Sequence, residues 1–156
     1  GRRPDEPARY VRFADVRDDR EAVRRIRWAQ IKSADRAIEK IVRSYEQDAS
    51  RLVDVCRQSI VFEDPAGLAA CLAAIAADRD VDVARVKNRL DPAHDAAQTA
   101  GFRSLALNLR VVTAGARRLG IEAHVAEVQL LLREFAELKS DMGHRRYVDF
   151  RNLRGE

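Results

Sequence analysis

His124-Val125-Ala126-Glu127-Val128-Gln129-Leu130 alternates as a β-strand does, with Ala126, Val128 and Leu130 on one face and Glu127 and Gln129 on the other. Leu52-Val53-Asp54-Val55-Cys56 sets a second carboxylate in an equally apolar run. An ionised carboxylate among valines and leucines is costly unless a cation or hydrogen-bond donors compensate it. Two such groups call for a metal ion. If nothing else compensates them, removing one of these charges should even raise the melting temperature.

Outward from these stretches, the pattern resolves into a single domain. Residues 18–30 read as a helix, and residues 33–47 as a second helix with Ser33 as its cap and Ala34, Ile38, Ile41, Val42 and Tyr45 on one stripe. Residues 51–62 read as a strand. Asp64-Pro65 then supplies a cap and a first-turn proline for a helix whose inward stripe is Leu68, Cys71, Leu72 and Ile75. Residues 81–89 alternate as a strand, residues 91–101 form a polar loop, and residues 102–112 are a strand with Leu105, Leu107 and Leu109 on one face. Residues 115–120 make a connection, residues 123–130 a strand, and a helix runs from Leu131 towards Phe150. Residues 1–17, with two of the four prolines, read as a flexible arm, and residues 18–156 as one domain. Helices and strands in this order indicate an α/β or α+β sandwich around a mixed sheet.

The chain of 156 residues is long enough to bury a core. With 35% charged residues and no apolar run of about 18, it reads as a soluble protein with a cytoplasmic location, not a membrane partner. Cys56 and Cys71 lack CxxC spacing and read as reduced core residues. A net charge of +4 favours anionic partners without selecting one.

Three rows of side chains carry chemistry. Lys32, Arg36, Lys40 and Arg43 recur at spacings that place them along one side of the second helix, relieved by Asp35 and by a Glu39–Arg43 pair. Arg85, Lys87 and Arg89 alternate, so they project from one face of a strand that reads either as a central one or as an edge strand facing water. Phe102, Ser104, Ala106 and Asn108 share the face opposite the leucines. If these faces coincide with that of Glu127 and Gln129, carboxylates, cations and an aromatic ring converge, as phosphoryl chemistry requires.

Lys32-Ser33 through Glu39-Lys40, Asp54 with Arg57, Arg85-Val86-Lys87-Asn88-Arg89, Gly101-Phe102-Arg103, Glu127-Val128-Gln129, and Lys139 with Gly143-His144 and Tyr147 resemble the RelA/SpoT synthetase domain. The likeness is strongest to its small single-domain and toxin-like members, and covers residues 32–151. It implies a nucleotidyltransferase-like mixed sheet flanked by helices, and transfer of pyrophosphate from ATP to the 3′-hydroxyl of an acceptor nucleotide, with release of AMP.

The resemblance further implies Asp54 as principal Mg²⁺ ligand and Glu127 as second metal contact or base. Lys32, Lys40 and Arg57 would hold ATP phosphates, and Arg36 would stack on adenine. Phe102 would face the acceptor base, Gln129 would contact the acceptor, and Arg85, Lys87 and Arg89 would take its phosphates. His144, on one stripe with Tyr147 and Arg151, would either pack the last helix or support the acceptor site. Gln30 stands where many members have arginine, Ala106 where the long enzymes often have histidine, and Phe102 where tyrosine is usual. The leading acceptor is a guanosine nucleotide. The toxin-like pattern leaves the 3′ end of tRNA as an alternative, with an antitoxin protein as partner, and the departures leave an inactive binding domain as another. Oligomeric state stays open. His94-Asp95 reads as loop polarity, and His124 as packing at a sheet face.

Overall fold

The computed structural model describes residues 10–138 apart from 27 and 100. Its centre is a mixed sheet of four strands, β1 (Arg57–Phe62), β2 (Val81–Asn88), β3 (Leu105–Val111) and β4 (Ala126–Leu132), in the order β1-β4-β3-β2. β4 runs parallel to β1 and antiparallel to β3, and β3 antiparallel to β2. The helices are α1 (Phe13–Val16), α2 (Arg20–Arg25), α3 (Ala34–Ser44), α4 (Pro65–Ala77), α5 (Ala114–Leu119) and α6 (Arg133–Leu138). This is the mixed sheet flanked by helices that the alternation of elements implies.

One face of the sheet is the core. Leu105, Leu107, Leu109 and Leu130 pack with Leu68 of α4, and Cys71, Leu72 and Ile75 close over them. The Asp64 side chain accepts from Gly67 N at 2.8 Å, and Pro65 opens the helix. The opposite face is polar over two rows and apolar beyond them, where Val61 and the buried Leu131 are in register. Register aligns Arg57, Glu127, Asn108 and Arg85 across it in one row, and Ser59, Gln129, Ala106 and Lys87 in the next.

The face of β2 switches at a bulge. Strict alternation would put Val81 and Val83 beside Arg85 and Lys87, burying the cations or exposing the valines. The register shifts between Val83 and Arg85, so Val83 opposes Leu109 on the core face while Arg85 opposes Asn108 on the polar one. The extra residue is Ala84. Deleting Ala84 is therefore expected to destabilise the fold by about 2 kcal/mol, the burial of two partly covered valines, whereas Ala84→Ser should be nearly silent. Guanidinium denaturation of the two variants distinguishes the outcomes; equal midpoints would remove the bulge from the account.

Several boundaries differ from the sequence reading. β1 begins only at Arg57, so Asp54 lies before the strand. The carbonyls of Val55 and Cys56 accept instead from Lys32 N (3.0 Å) and Glu127 N (2.9 Å). β3 starts at Leu105, which leaves Phe102 in the preceding loop. Of the two readings of β2, the edge strand is the one the fold adopts. The helix expected over residues 18–30 ends at Arg25, because Gln58 Oε1 accepts from Ala29 N at 3.0 Å and draws the chain out along β1. Leu131 and Leu132 pair with Val61 and Phe62 in β4, so the last helix starts at Arg133. The connection at residues 115–120 is α5, with Thr113 capping Ala116 N and Gly120 at φ 68° ending it. A turn of helix, α1, lies within residues 1–17. His124 is exposed in the turn before β4 and does not pack on the sheet.

Candidate active site

α3 begins where Ser33 Oγ accepts from Arg36 N (3.4 Å), and the backbone bond from Lys32 N to Val55 O pins that start beside Asp54. Lys40 lies two helical turns beyond Lys32, on the same side. Both ammonium groups meet one carboxylate oxygen: Lys32 Nζ is 3.0 Å and Lys40 Nζ 2.9 Å from Asp54 Oδ2, with Arg57 Nη1 at 4.0 Å. Asp54 is 7% exposed, and its Oδ1 is buried without a hydrogen-bond partner. Burial pushes the carboxyl up, but the hydrogen bonds from Lys40 and Lys32 outweigh it and hold Asp54 below its ordinary value. Burial likewise pushes Lys40 down, and its bonds to Asp54 and Tyr45 reverse the direction. The row on α3 thus divides. Arg36 and Arg43 turn to Glu39, at 2.9 and 3.1 Å, on the solvent side of the helix.

On the polar sheet face, Gln129 Nε2 donates to Glu127 Oε1 at 2.7 Å. Lys87 is held below its ordinary value by burial and by Arg89 and Arg85, while Glu127 opposes the shift. Glu127 and the basic row therefore share one electrostatic neighbourhood. The sequence expectation that the faces coincide holds for Glu127, Gln129, Arg85 and Lys87.

No family model matches the sequence, and no curated protein does. Solved structures match instead. The small alarmone synthetase 2 from Bacillus subtilis superposes with a TM-score of 0.58 at 17% identity, covering 79% of this chain and 62% of that one. The fold is that of the small alarmone synthetases. The small alarmone synthetase 1 of the same organism, bound to its product pppGpp, gives 0.57 at 15% identity over 74% of this chain and 59% of that one. A GTP pyrophosphokinase family protein from Streptococcus pneumoniae gives 0.60 at 13% over 91% and 74%. The chain spans about three fifths of the length of the two Bacillus synthetases.

Within the synthetase fold, two residues stand out to which the sequence reading gave no role. The Arg103 guanidinium donates to the carbonyls of Arg89 (3.2 Å), Asp91 (2.8 Å) and His94 (3.1 Å), shaping the loop that carries Phe102. Asn108, 7% exposed between Glu127 and Arg85, has a buried Nδ2 without a partner. Its place on the polar face is readable from alternation, its isolation only from the fold. Phe102 is half-buried, with its backbone tied to Thr99 by bonds of 3.0 and 2.7 Å. His144, Lys139, Tyr147 and Arg151 lie outside the described residues.

Among the described residues no three His, Cys, Asp or Glu side chains gather as a metal cluster. Asp54 and Glu127 can nevertheless serve Mg²⁺, which takes one or two carboxylates plus waters and substrate phosphates. The unpartnered Oδ1 of Asp54 is a fitting ligand, and Glu127 is in register with Arg57, just past Asp54.

The titration directions set a pH dependence. A carboxyl below its ordinary 3.8 gives its full stabilisation above that pH and loses it as pH falls through the folded value. Lys40, above its ordinary 10.5, contributes below that pH and loses the contribution as pH rises through the folded value. Wild type and Asp54→Asn should therefore differ in denaturation midpoint near neutrality and converge in acid. A gap that stays constant down to strongly acidic pH would contradict the pairing.

Proposed function

We propose that this domain transfers the β,γ-diphosphate of ATP to the 3′-hydroxyl of a guanosine nucleotide, the chemistry of alarmone synthesis. The observation that carries the reading is the convergence of Lys32, Lys40 and Arg57 on a buried Asp54 with one oxygen unpartnered, beside the face bearing Glu127 and the basic row. Three cations on one carboxylate have charge to spare for a triphosphate. Asp54 Oδ1 and Glu127 would hold Mg²⁺, which when bound neutralises triphosphate charge.

Lys32, Lys40 and Arg57 bind the donor phosphates and stabilise charge on them in the transition state. Glu127 accepts the proton of the 3′-hydroxyl; the 3′-oxygen bonds to the β-phosphorus, the bond to the α-phosphate oxygen breaks, and AMP leaves with that electron pair. Arg85, Lys87 and Arg89 receive the acceptor phosphates, and Gln129 orients Glu127 while contacting the acceptor. Positioning supplies much of the rate.

The tRNA 3′ end is the second acceptor reading, favoured by the exposure of Arg85 and Lys87 on an edge strand, where a polymer can run. Incubation with γ-labelled ATP and GDP, GTP or tRNA separates the readings. Label in a guanosine product is expected, with shallow salt dependence. Label in tRNA alone, with affinity falling by a log–log slope of about 0.7 per neutralised phosphate, would replace the guanosine acceptor. No labelled product with any acceptor would leave a binding domain.

A further inference from the structure

Asn108 stands in the middle of the polar face with its amide unused. It lies on β3, in register with Glu127 on one side and Arg85 on the other, and is 7% exposed. Its Nδ2 is buried and has no hydrogen-bond partner among the described residues. The carboxylate across from it is engaged elsewhere, since Gln129 Nε2 donates to Glu127 Oε1 at 2.7 Å. Asparagine is also a poor strand former, and a buried donor without an acceptor is costly. Valine would fill the same place in the strand at neither cost. The residue is thus a liability to the empty fold, and an oxygen brought in by a ligand is what would satisfy it.

The proposed reaction says which oxygen. Glu127 takes the proton of the acceptor's 3′-hydroxyl. Side chains directly opposite on neighbouring strands stand about 5 Å apart at Cβ, so a sugar whose 3′-hydroxyl meets Glu127 brings the adjacent hydroxyl to Asn108. In a ribonucleotide that is the 2′-hydroxyl, on the same side of the ring. It is the group by which a protein site tells ribose from deoxyribose.

We propose that Asn108 reads the sugar of the acceptor, its Nδ2 donating to the 2′-hydroxyl while Glu127 holds the 3′-hydroxyl, so that ribonucleotides are selected over 2′-deoxyribonucleotides. The assignment rests on the proposed transfer reaction for the place of the sugar.

Transfer from γ-labelled ATP to GDP and to 2′-deoxy-GDP measures the selection. The wild type is expected to favour GDP by about ten- to a hundredfold in kcat/KM. Asn108→Ala should lose about that factor with GDP and little with 2′-deoxy-GDP, which narrows the preference to within about threefold. Asn108→Val, which suits a strand and removes the unpaired donor, should lose the preference in the same way and melt no lower than the wild type, so the loss is not one of folding. The proposal is overturned if the wild type uses both acceptors equally well or if the variants keep its preference. It is also overturned if the variants slow both acceptors alike, the mark of a residue that only positions Glu127. If tRNA alone is labelled, tRNA ending in a 2′-deoxynucleotide replaces 2′-deoxy-GDP and the same outcomes decide. If no acceptor is labelled, the transferase reading falls and equilibrium binding decides instead. GDP held about tenfold more tightly than 2′-deoxy-GDP by the wild type, and no more tightly by Asn108→Ala, would keep the ribose contact; equal binding of the two by the wild type would remove it.

Discussion

Asp54→Asn is expected to lower pyrophosphate transfer by about a thousandfold and to lower the melting temperature as well. The first effect follows from the number of groups that depend on this carboxylate. Lys32 and Lys40 both terminate on its Oδ2, Arg57 stands 4.0 Å away, and its Oδ1 is the buried oxygen open to a cation. An asparagine keeps one oxygen and loses the charge that gathers the cations. The donor phosphates then meet a disordered set of ammonium groups, so the KM for ATP should rise along with the fall in kcat.

The thermal effect reverses what the sequence alone suggests. An uncompensated buried carboxylate would be relieved by neutralisation, but this one carries two lysines. Breaking a buried pair costs about 3–5 kcal/mol when both partners are fully enclosed. The lysine side chains here are 18% and 28% exposed, so about 1–2 kcal/mol is the fitting figure. For a domain of this size that corresponds to a fall of about 3–6 °C. Calorimetry of the purified variant checks the second effect and labelled ATP the first. Near wild-type transfer in Mg²⁺ would remove Asp54 from the active site, and a raised melting temperature would remove the ion-pair cluster from the stability account.

What could be read from the sequence was whatever depends on near neighbours. Leu105, Leu107 and Leu109 alternate because their strand has one buried face, and Asp64-Pro65 caps a helix through a bond only three residues long. Glu127 and Gln129 share a face for the same reason, and hydrogen-bond to one another on it. The bulge at Ala84 is harder to see. Val81, Val83, Arg85 and Lys87 look like an unbroken odd-numbered row, and only the incompatibility of valine and arginine on one face betrays the switch. Asp54 looked like a strand residue because valines and a leucine surround it. The backbone bonds that take it out of the ladder come from Lys32 and Glu127, far away in sequence. Arg36 was placed by the same spacing in a row with Lys32 and Lys40, and the fold adds that it pairs with its near neighbour Glu39 on the solvent side of α3.

Glu127→Gln should separate proton transfer from binding. Glutamine matches glutamate in shape, its carbonyl oxygen can still accept from Gln129 Nε2, and the backbone bond from residue 127 to Cys56 is untouched. The fold and the positions of Arg57 and Asn108 on either side should therefore persist, with a melting temperature within about 1 °C of wild type. What disappears is the ability to take the 3′-hydroxyl proton. Losing a positioned general base costs about a hundred- to ten-thousandfold, and the loss should fall mainly on kcat, with the KM for the acceptor nearly constant and the KM for ATP raised modestly by the weaker hold of a glutamine on Mg²⁺. Glu127→Asp should recover part of the rate, since it keeps the charge and shortens the reach. If Glu127→Gln turns over at more than about a tenth of the wild-type rate, the proton goes elsewhere. The glutamate would then serve to hold Mg²⁺ and to balance the cations of Arg57 and Lys87 across the sheet.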